Sequence, residues 1–277
     1  MTYMEPKPDI KLPPIDKPSV ARVYDYLLGG KDNYEIDRRL ATSLLNIDPE
    51  IRQSAAVNRA FGLRVVDWLA KEQGITQFID LGCGIPTTEP TIHHIARQHH
   101  PHARVLYIDN DPVVKAHAAA LRCVSPGLDS LYADITAANQ ILQSPEFTNT
   151  IDLNQPVALL CFSVMQTVDN TMAAAGALSR LAAPFPYGSW LGLSHVAVEH
   201  SQPEAVSHVR SALDSYGYPP VAWRSDKAIS SLFDGFAIHE PGLVEVAQWR
   251  PHQSDPDHEL KVKLIGGVGE KRRPKTP

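Results

Sequence analysis

Much is scarce or missing in this chain of 277 residues, and each absence narrows what it can be. The three cysteines, Cys83, Cys123 and Cys161, are too few and too scattered for a disulfide framework or a zinc site, so a reducing, cytoplasmic setting is expected. No apolar run is long enough to span a bilayer, and the first 18 residues carry five prolines but no apolar signal segment. A soluble, unexported protein with no membrane partner is the expectation. Basic excess is missing too. The formal charge is −5 and lysines and arginines are dispersed, apart from Lys271-Arg272-Arg273, so no nucleic-acid partner is expected. There is no internal repeat, and no glycine-lysine-Ser/Thr tripeptide to cradle phosphates.

What is present is concentrated in Phe78-Ile79-Asp80-Leu81-Gly82-Cys83-Gly84-Ile85-Pro86. A short apolar run bounded by turn residues reads as a strand buried on both faces, and the glycines after it let backbone approach a ligand closely. Asp80 closes the strand with a carboxylate. Two cofactor classes remain open at this point: a pyrophosphate-bearing dinucleotide, and a nucleoside carrying an amine or sulfonium cation.

The length admits one large α/β domain or two small ones. Residues 1–18 read as a disordered leader, 19–75 as an N-terminal helical cap within the same domain, 76–269 as the core and 270–277 as a disordered basic tail. In the cap, Pro18-Ser19 signals a helix that Gly29-Gly30 ends, a second helix covers about 34–45, and Asp48-Pro49 opens a third reaching about residue 72. From residue 76 strand and helix signals alternate, which predicts a mostly parallel sheet with helices on both faces. Strands are expected at 77–81, 104–108, 129–132, 157–162 and 189–194, with a last one over 260–265. Intervening helices are expected at about 88–98, 112–122, 136–143, 170–182, 202–216 and 226–233. The extended segments at 236–238 and 244–246 predict a closing antiparallel hairpin at one edge.

In such a sheet ligands sit at the carboxyl ends of the strands. The second strand closes on Asp109-Asn110-Asp111, where an acid can accept both ribose hydroxyls; the third closes on Asp134-Ile135, suited to an adenine amino group and ring; the fourth closes on Phe162-Ser163. Asp109 and Asp134 could equally cap the helices that follow. The third position of a dinucleotide Gly-x-Gly-x-x-Gly fingerprint is Thr87, and acidic edges without an anion cradle favour a cationic nucleoside, S-adenosylmethionine. The histidines His93, His94, His99, His100 and His102 lack a nearby carboxylate or cysteine, so no metal is expected and the cluster reads as a solvated helix end.

Several motifs make the chain similar to a family: residues 18–34, from Pro18-Ser19-Val20 through Gly29-Gly30-Lys31-Asp32-Asn33-Tyr34, Asn58-Arg59-Ala60-Phe61, Tyr107 to Val114, Leu193-Ser194-His195, Leu232 to Gly235 and Glu240 to Val244. With them it resembles a bacterial S-adenosylmethionine-dependent methyltransferase family of largely unassigned substrate, within the class I, Rossmann-like superfamily. The resemblance implies an α/β fold with a seven-stranded, mostly parallel sheet whose last strand is antiparallel. It implies S-adenosylmethionine as cofactor, with Asp80, Gly82, Cys83 and Gly84 at the methionine portion, Asp109 and Asn110 at the ribose, Asp134 and Ile135 at the adenine, and Phe162 and Ser163 beside them. Lys31 or Arg59 would pair the methionine carboxylate. Two departures from the family pattern stand out: Cys83 where threonine is expected, and Val164-Met165 in place of a histidine-phenylalanine pair. A sulfonium is already a good leaving group, so positioning and one base suffice. His195 leads the base candidates, then Glu199 and His200, then Tyr24 and Tyr34 from the cap. The reading is a methyltransferase acting on a small-molecule acceptor, as monomer or homodimer; the alternative is a cofactor-binding regulatory module without transfer.

Overall fold

A computed structural model describes residues 17–85, 89–117, 125–251 and 260–273. The leader over 1–16, Thr87, Cys123, the end of the helix expected at 112–122 and the tail over 274–277 lie outside the described residues. Three helices lead: α1 (Val20–Leu27), α2 (Glu35–Ile47) and α3 (Ile51–Lys71). Then come β1 (Gln77–Leu81), α4 (Ile92–His99), β2 (Arg104–Asp109), α5 over 112–117, β3 (Leu128–Tyr132), α6 (Ala138–Gln143), α7 (Pro145–Thr150) and β4 (Ala158–Phe162). The chain continues through α8 (Thr171–Ala182), β5 (Trp190–Val196), α9 (Pro203–Ser215), α10 (Asp226–Ser230), β6 (Ala237–Ile238), β7 (Val244–Glu245) and β8 (Leu264–Glu270).

The strands lie in the order β3-β2-β1-β4-β5-β8-β6, with β7 also on β8. From β3 to β5 every pairing is parallel, and β8 alone runs against its neighbours. Alternate residues face opposite sides. Phe78, Val105, Ala158 and Leu160 join α1 to α4 and α9 on one face. Ile79, Leu81, Leu106, Ile108, Leu159 and Cys161 join α6, α7 and α8 on the other. The long helix α3 belongs to the core more than to a cap: Phe61, Val65 and Leu69 are fully buried on the sheet, each worth roughly 1.5–3 kcal/mol of apolar transfer.

Two expectations at the edge need correction. The last strand is Leu264–Glu270, later than the expected 260–265, because Gly266-Gly267-Val268-Gly269 is strand and not turn. Its glycines are there for proximity: a Cβ on Gly266 would stand 2.8 Å from the Phe61 ring, and one on Gly267 would stand 2.9 Å from the Gly242 carbonyl oxygen. Nor do β6 and β7 form a hairpin. Both pair with β8, at Glu270 and Gly269 and then at Gly266 and Ile265, as two pieces of one interrupted edge strand. The basic tail also begins inside the fold, since Lys271 Nζ donates to the carbonyls of Ala182, Ala183 and Phe185 past the end of α8.

Polar contacts fasten the N-terminal helices. Arg22, 1% exposed, donates from Nε to Asp37 Oδ2 at 2.7 Å and reaches Asp111 Oδ2 at 3.4 Å. Asp37 also accepts the backbone N–H of Ser19 at 2.9 Å and of Tyr34 at 2.8 Å, while the Ser19 hydroxyl donates to Asp111. Asp25 organises the Gly29–Tyr34 turn by accepting the Asp32 N–H and the Asn33 amide, and a Cβ on Gly30 would collide with its carboxylate. That turn explains the glycine-glycine-lysine-aspartate-asparagine string as architecture. Removing one partner from a buried ion pair strands the other charge. Asp37→Ala is expected to lower unfolding stability by about 3–5 kcal/mol, measured by denaturant titration, and Asp32→Ala at the half-exposed turn by less.

Candidate functional site

Parallel register places the ends of β1 to β4 side by side, and a cavity of ≈ 550 Å³ opens over them. Asp80, Gly82, Cys83 and Gly84 line it from β1, Asp109 and Asn110 from β2, Asp134 and Ile135 after β3, and Phe162 and Ser163 from β4. Arg59 on α3 and residues 18–21 at the start of α1 complete its walls.

Each strand end is shaped by local chemistry. Gly82 and Gly84 have φ of 69° and 63°, the left-handed region that favours glycine. A Cβ on Gly82 would be 2.1 Å from Val164, whereas nothing lies within 4 Å of one on Gly84, so backbone is bare toward the cavity there. Asp109 Oδ2 accepts the Gly84 N–H and Oδ1 the Asp111 N–H, both at 2.9 Å. Each oxygen keeps a second lone pair, as two ribose hydroxyls would require. Asp134 Oδ1 takes the N–H and hydroxyl of Thr136, at 2.7 and 2.6 Å. These bonds close a turn and do not cap the helix, since α6 starts at Ala138 with Ala137 at its N-cap and no side-chain cap bond, and they leave the other oxygen open. Ser163 sits at φ 55° without being glycine, a strained conformation that recurs where a side chain must be aimed. Its N–H donates to the Ser194 carbonyl at 3.1 Å and its Oγ accepts from Gln166 Nε2 at 3.0 Å.

Charge in the cavity is dominated by buried acid. Burial raises the Asp80 pKa to about 7, with the Arg59 charge pulling it down and the Asp109 charge pushing it up. Burial likewise raises Asp109 to about 6 against the N–H bonds of Asp111 and Gly84 that lower it. Burial also holds the Cys83 thiol well above its usual range, so Cys83 is a small neutral lining residue.

Five sequence candidates stand elsewhere. His195 is fully buried on β5, its Nδ1 donating to the Val196 carbonyl at 2.8 Å and its Nε2 accepting from Arg224 Nη1 at 2.7 Å. Burial, against the Val196 bond that raises it and with a smaller push from the Arg224 charge, brings its pKa to about 4. With both nitrogens engaged, His195 has no lone pair to offer as a base. Its work is to hold Arg224, which also donates to the carbonyls of Met165, Val168 and Asp169 and so shapes the loop after β4. Lys31 and Tyr34 are exposed outside the cavity lining, with Tyr34 beneath the Arg22 guanidinium, 4.9 Å from ring centre to Cζ. Glu199 and His200 bond to Asp226 away from the cavity. Tyr24 does line it. The histidines of α4 are not a solvated end: His93 is buried with Nδ1 2.8 Å from the Tyr107 hydroxyl, and His99 and His100 bond to Asp67 and the Ala70 carbonyl on α3.

Sequence reasoning passed over Asn58, Gly62, Leu63 and Thr167, which also line the cavity. Helical spacing could have found two of them, because Asn58 and Gly62 fall one turn apart on the face of α3 that carries Phe61 and Val65. Gly62 is required there: a Cβ would be 2.9 Å from the Phe162 ring.

A family profile described as S-adenosyl methyltransferase matches residues 9–272. The chain is 34% identical to a DUF574 family protein from Streptomyces avermitilis, whose crystal structure superimposes with a TM-score of 0.88 over 93% of this chain and 100% of that one. It is 33% identical to a candidate methyltransferase from Thermobifida fusca, with a TM-score of 0.86 over 93% and 96%. An O-methyltransferase family protein from Burkholderia thailandensis, 14% identical, shares the fold alone, with a TM-score of 0.53 over 93% and 65%. Among curated proteins none matches the chain.

The two buried carboxyls predict a pH signature in ligand-free protein. Each binds its proton more tightly when folded, with folded pKa values of about 7 and about 6, so their cost to stability is absent in acid and develops as pH rises to neutrality. Asp80→Asn is expected to gain in melting temperature over the unsubstituted protein progressively between about pH 4 and 7; a difference constant across that range contradicts the burial argument.

Proposed function

The chain belongs to the S-adenosyl methyltransferase family, a class I methyltransferase with S-adenosylmethionine as methyl donor, and on that premise we propose how its cavity is divided between donor and acceptor. One observation carries the division: a single cavity collects the ends of β3, β2, β1 and β4 in spatial order, with ribose-type, glycine-loop and acidic groups concentrated at the first three. The cofactor fits these groups. Asp109 has an open lone pair on each oxygen for the ribose, Gly84 presents bare backbone to the methionine portion, and Asp80 offers a carboxylate to its ammonium. Asp134 and Ile135 serve the adenine, with Asn110, Cys83 and Gly82 closing around the nucleoside and Arg59 as the cation nearest Asp80. Bound there, S-adenosylmethionine supplies an activated methyl group on a sulfonium. What remains to the protein is to align an acceptor with it and exclude water. The acceptor enters beside β4, over Phe162 and Ser163.

A small-molecule acceptor suits a cavity of ≈ 550 Å³ and a formal charge of −5 better than a nucleic acid does. We place the enzyme in the cytoplasm on its few cysteines, of which the described Cys83 and Cys161 are unpaired; among the described residues no helix is long and apolar enough to cross a membrane.

Asp109→Asn keeps the side chain's size but removes its charge and turns one of its two acceptor atoms into a donor, so cofactor affinity is expected to fall by at least roughly 1.5–3 kcal/mol by calorimetry. Incubating the protein with methyl-labelled cofactor and the small-molecule fraction of a bacterial extract should yield a labelled small product. Cofactor binding without any labelled product would favour the regulatory module instead.

A further inference from the structure

The part of the cavity beside β4 differs in chemistry from the rest. Its walls are apolar: Gly62 and Leu63 of α3, Phe162, Val168 and Pro219. Its polar groups gather around Ser194. The Ser194 hydroxyl donates to Asn58 Oδ1 at 2.5 Å, and its backbone carbonyl accepts the Ser163 N–H at 3.1 Å. Asn58 Nδ2 donates to the Tyr24 hydroxyl at 3.0 Å, and that hydroxyl donates in turn to the Ala55 carbonyl at 2.9 Å. This line fixes the orientation of the amide, because Tyr24 has given away its proton and needs a donor while Ser194 needs an acceptor.

Two consequences follow for anything bound there. First, the unused protons point one way in chemistry. Asn58, 2% exposed, makes a single bond from Nδ2 among the described residues and keeps its second N–H, and Ser163 Oγ accepts from Gln166 and keeps its hydroxyl proton to donate. The Arg59 charge acts on Tyr24 as well as on Asp80, and so stands between this part and the donor seat. Second, no base is at hand. Among the described residues lining this part there is no histidine, aspartate, glutamate or lysine, the Tyr24 proton is committed to a carbonyl, and burial raises its pKa further. Asp80 lies at β1, in the donor seat.

From this placement of proton donors without a base, and resting on the methyltransferase reading above, we propose that the acceptor is a preformed oxyanion, a carboxylate or an acidic phenolate on a small apolar body, seated on the Asn58 amide and the Ser163 hydroxyl. An oxygen anion has lone pairs enough to accept both donors and still attack. A neutral amine has one, which an N–H bond would occupy, and a protonated amine has none and would need the missing base. In the transfer, an oxygen lone pair forms the new O–C bond as the methyl–sulfur bond breaks and its electron pair passes to sulfur. The anion and the sulfonium neutralise each other, and no proton has to move.

The test is direct binding to the full chain loaded with S-adenosylhomocysteine. Benzoate, 4-nitrophenolate at a pH where it is ionised, and benzylamine are titrated calorimetrically. At least one of the two anions is expected to bind about tenfold or more tightly than benzylamine, and which one does so separates a carboxylate from a phenolate acceptor. Benzylamine binding as tightly as both anions, or no probe binding at all, overturns the proposal without any variant being needed. Asn58→Asp replaces the spare donor with a carboxylate of the same shape and should reverse the preference; an unchanged ratio in a folded variant also overturns it. Failure of the donor reading is seen separately, as absence of S-adenosylhomocysteine binding in the first step.

Discussion

One buried guanidinium, that of Arg22, ties the N-terminal helices to the sheet, and the cavity has walls because of it. Its partners belong to different parts of the chain: Asp37 on α2, and Asp111 just beyond β2. Asp111 follows the Asp109 carboxylate, which also holds the Gly84 N–H. A continuous polar line therefore runs from the glycine loop after β1, through the acid that ends β2, to the cap. A charge taken out of water is tolerated only when paired and fully bonded, and Arg22 meets that condition with a third bond to the Lys17 carbonyl. The line sets the position of residues 18–21, which form part of the cavity wall.

The cavity itself departs from that rule. Asp80 is buried and Asp109 half-buried, and their raised pKa values record chiefly the cost of taking a carboxylate out of water, which Arg59 offsets only in part at Asp80. Nothing in the apolar core requires the arrangement. On the proposed placement of S-adenosylmethionine, its cationic groups would relieve that cost. The strained Ser163 backbone and the five-fold bonding of Arg224 both act on the loop after β4. There, structure that contributes little to packing holds one loop in one shape.

Much of this was legible in the sequence where the signal is local. Short apolar runs bounded by turn residues mark β1 to β5 to within two residues at either end, because strands of a mostly parallel sheet are rich in apolar residues. The strand ends then nominate Asp80, Gly82, Gly84, Asp109, Asp134 and Phe162, and the structure gathers these around one cavity. Where the local signal was ambiguous, reading it locally failed. From the sequence the last strand is expected to end at Ile265, before Gly266-Gly267-Val268-Gly269, because glycine is poor in strands. Only its contacts with Phe61 and Gly242, residues near and far in the chain, show that the strand needs glycine for closeness.

His195 marks the boundary between the two kinds of information. A histidine at a strand end over a cleft reads as a base, and its type and position alone support no better reading. Its role is decided by Arg224, 29 residues later, which occupies the one lone pair that catalysis would need. The same holds for Tyr24, Asn58 and Ser194, which lie in three separate motifs and become one hydrogen-bonded line only when α1, α3 and β5 pack together. The sequence by itself determined the strand order of chemistry, the donor class and the acidic edge, since periodicity and turn residues encode these over a few positions. The tertiary structure alone decided which polar groups are satisfied and which are left open, because a buried hydrogen-bond partner is set by packing and not by distance along the chain.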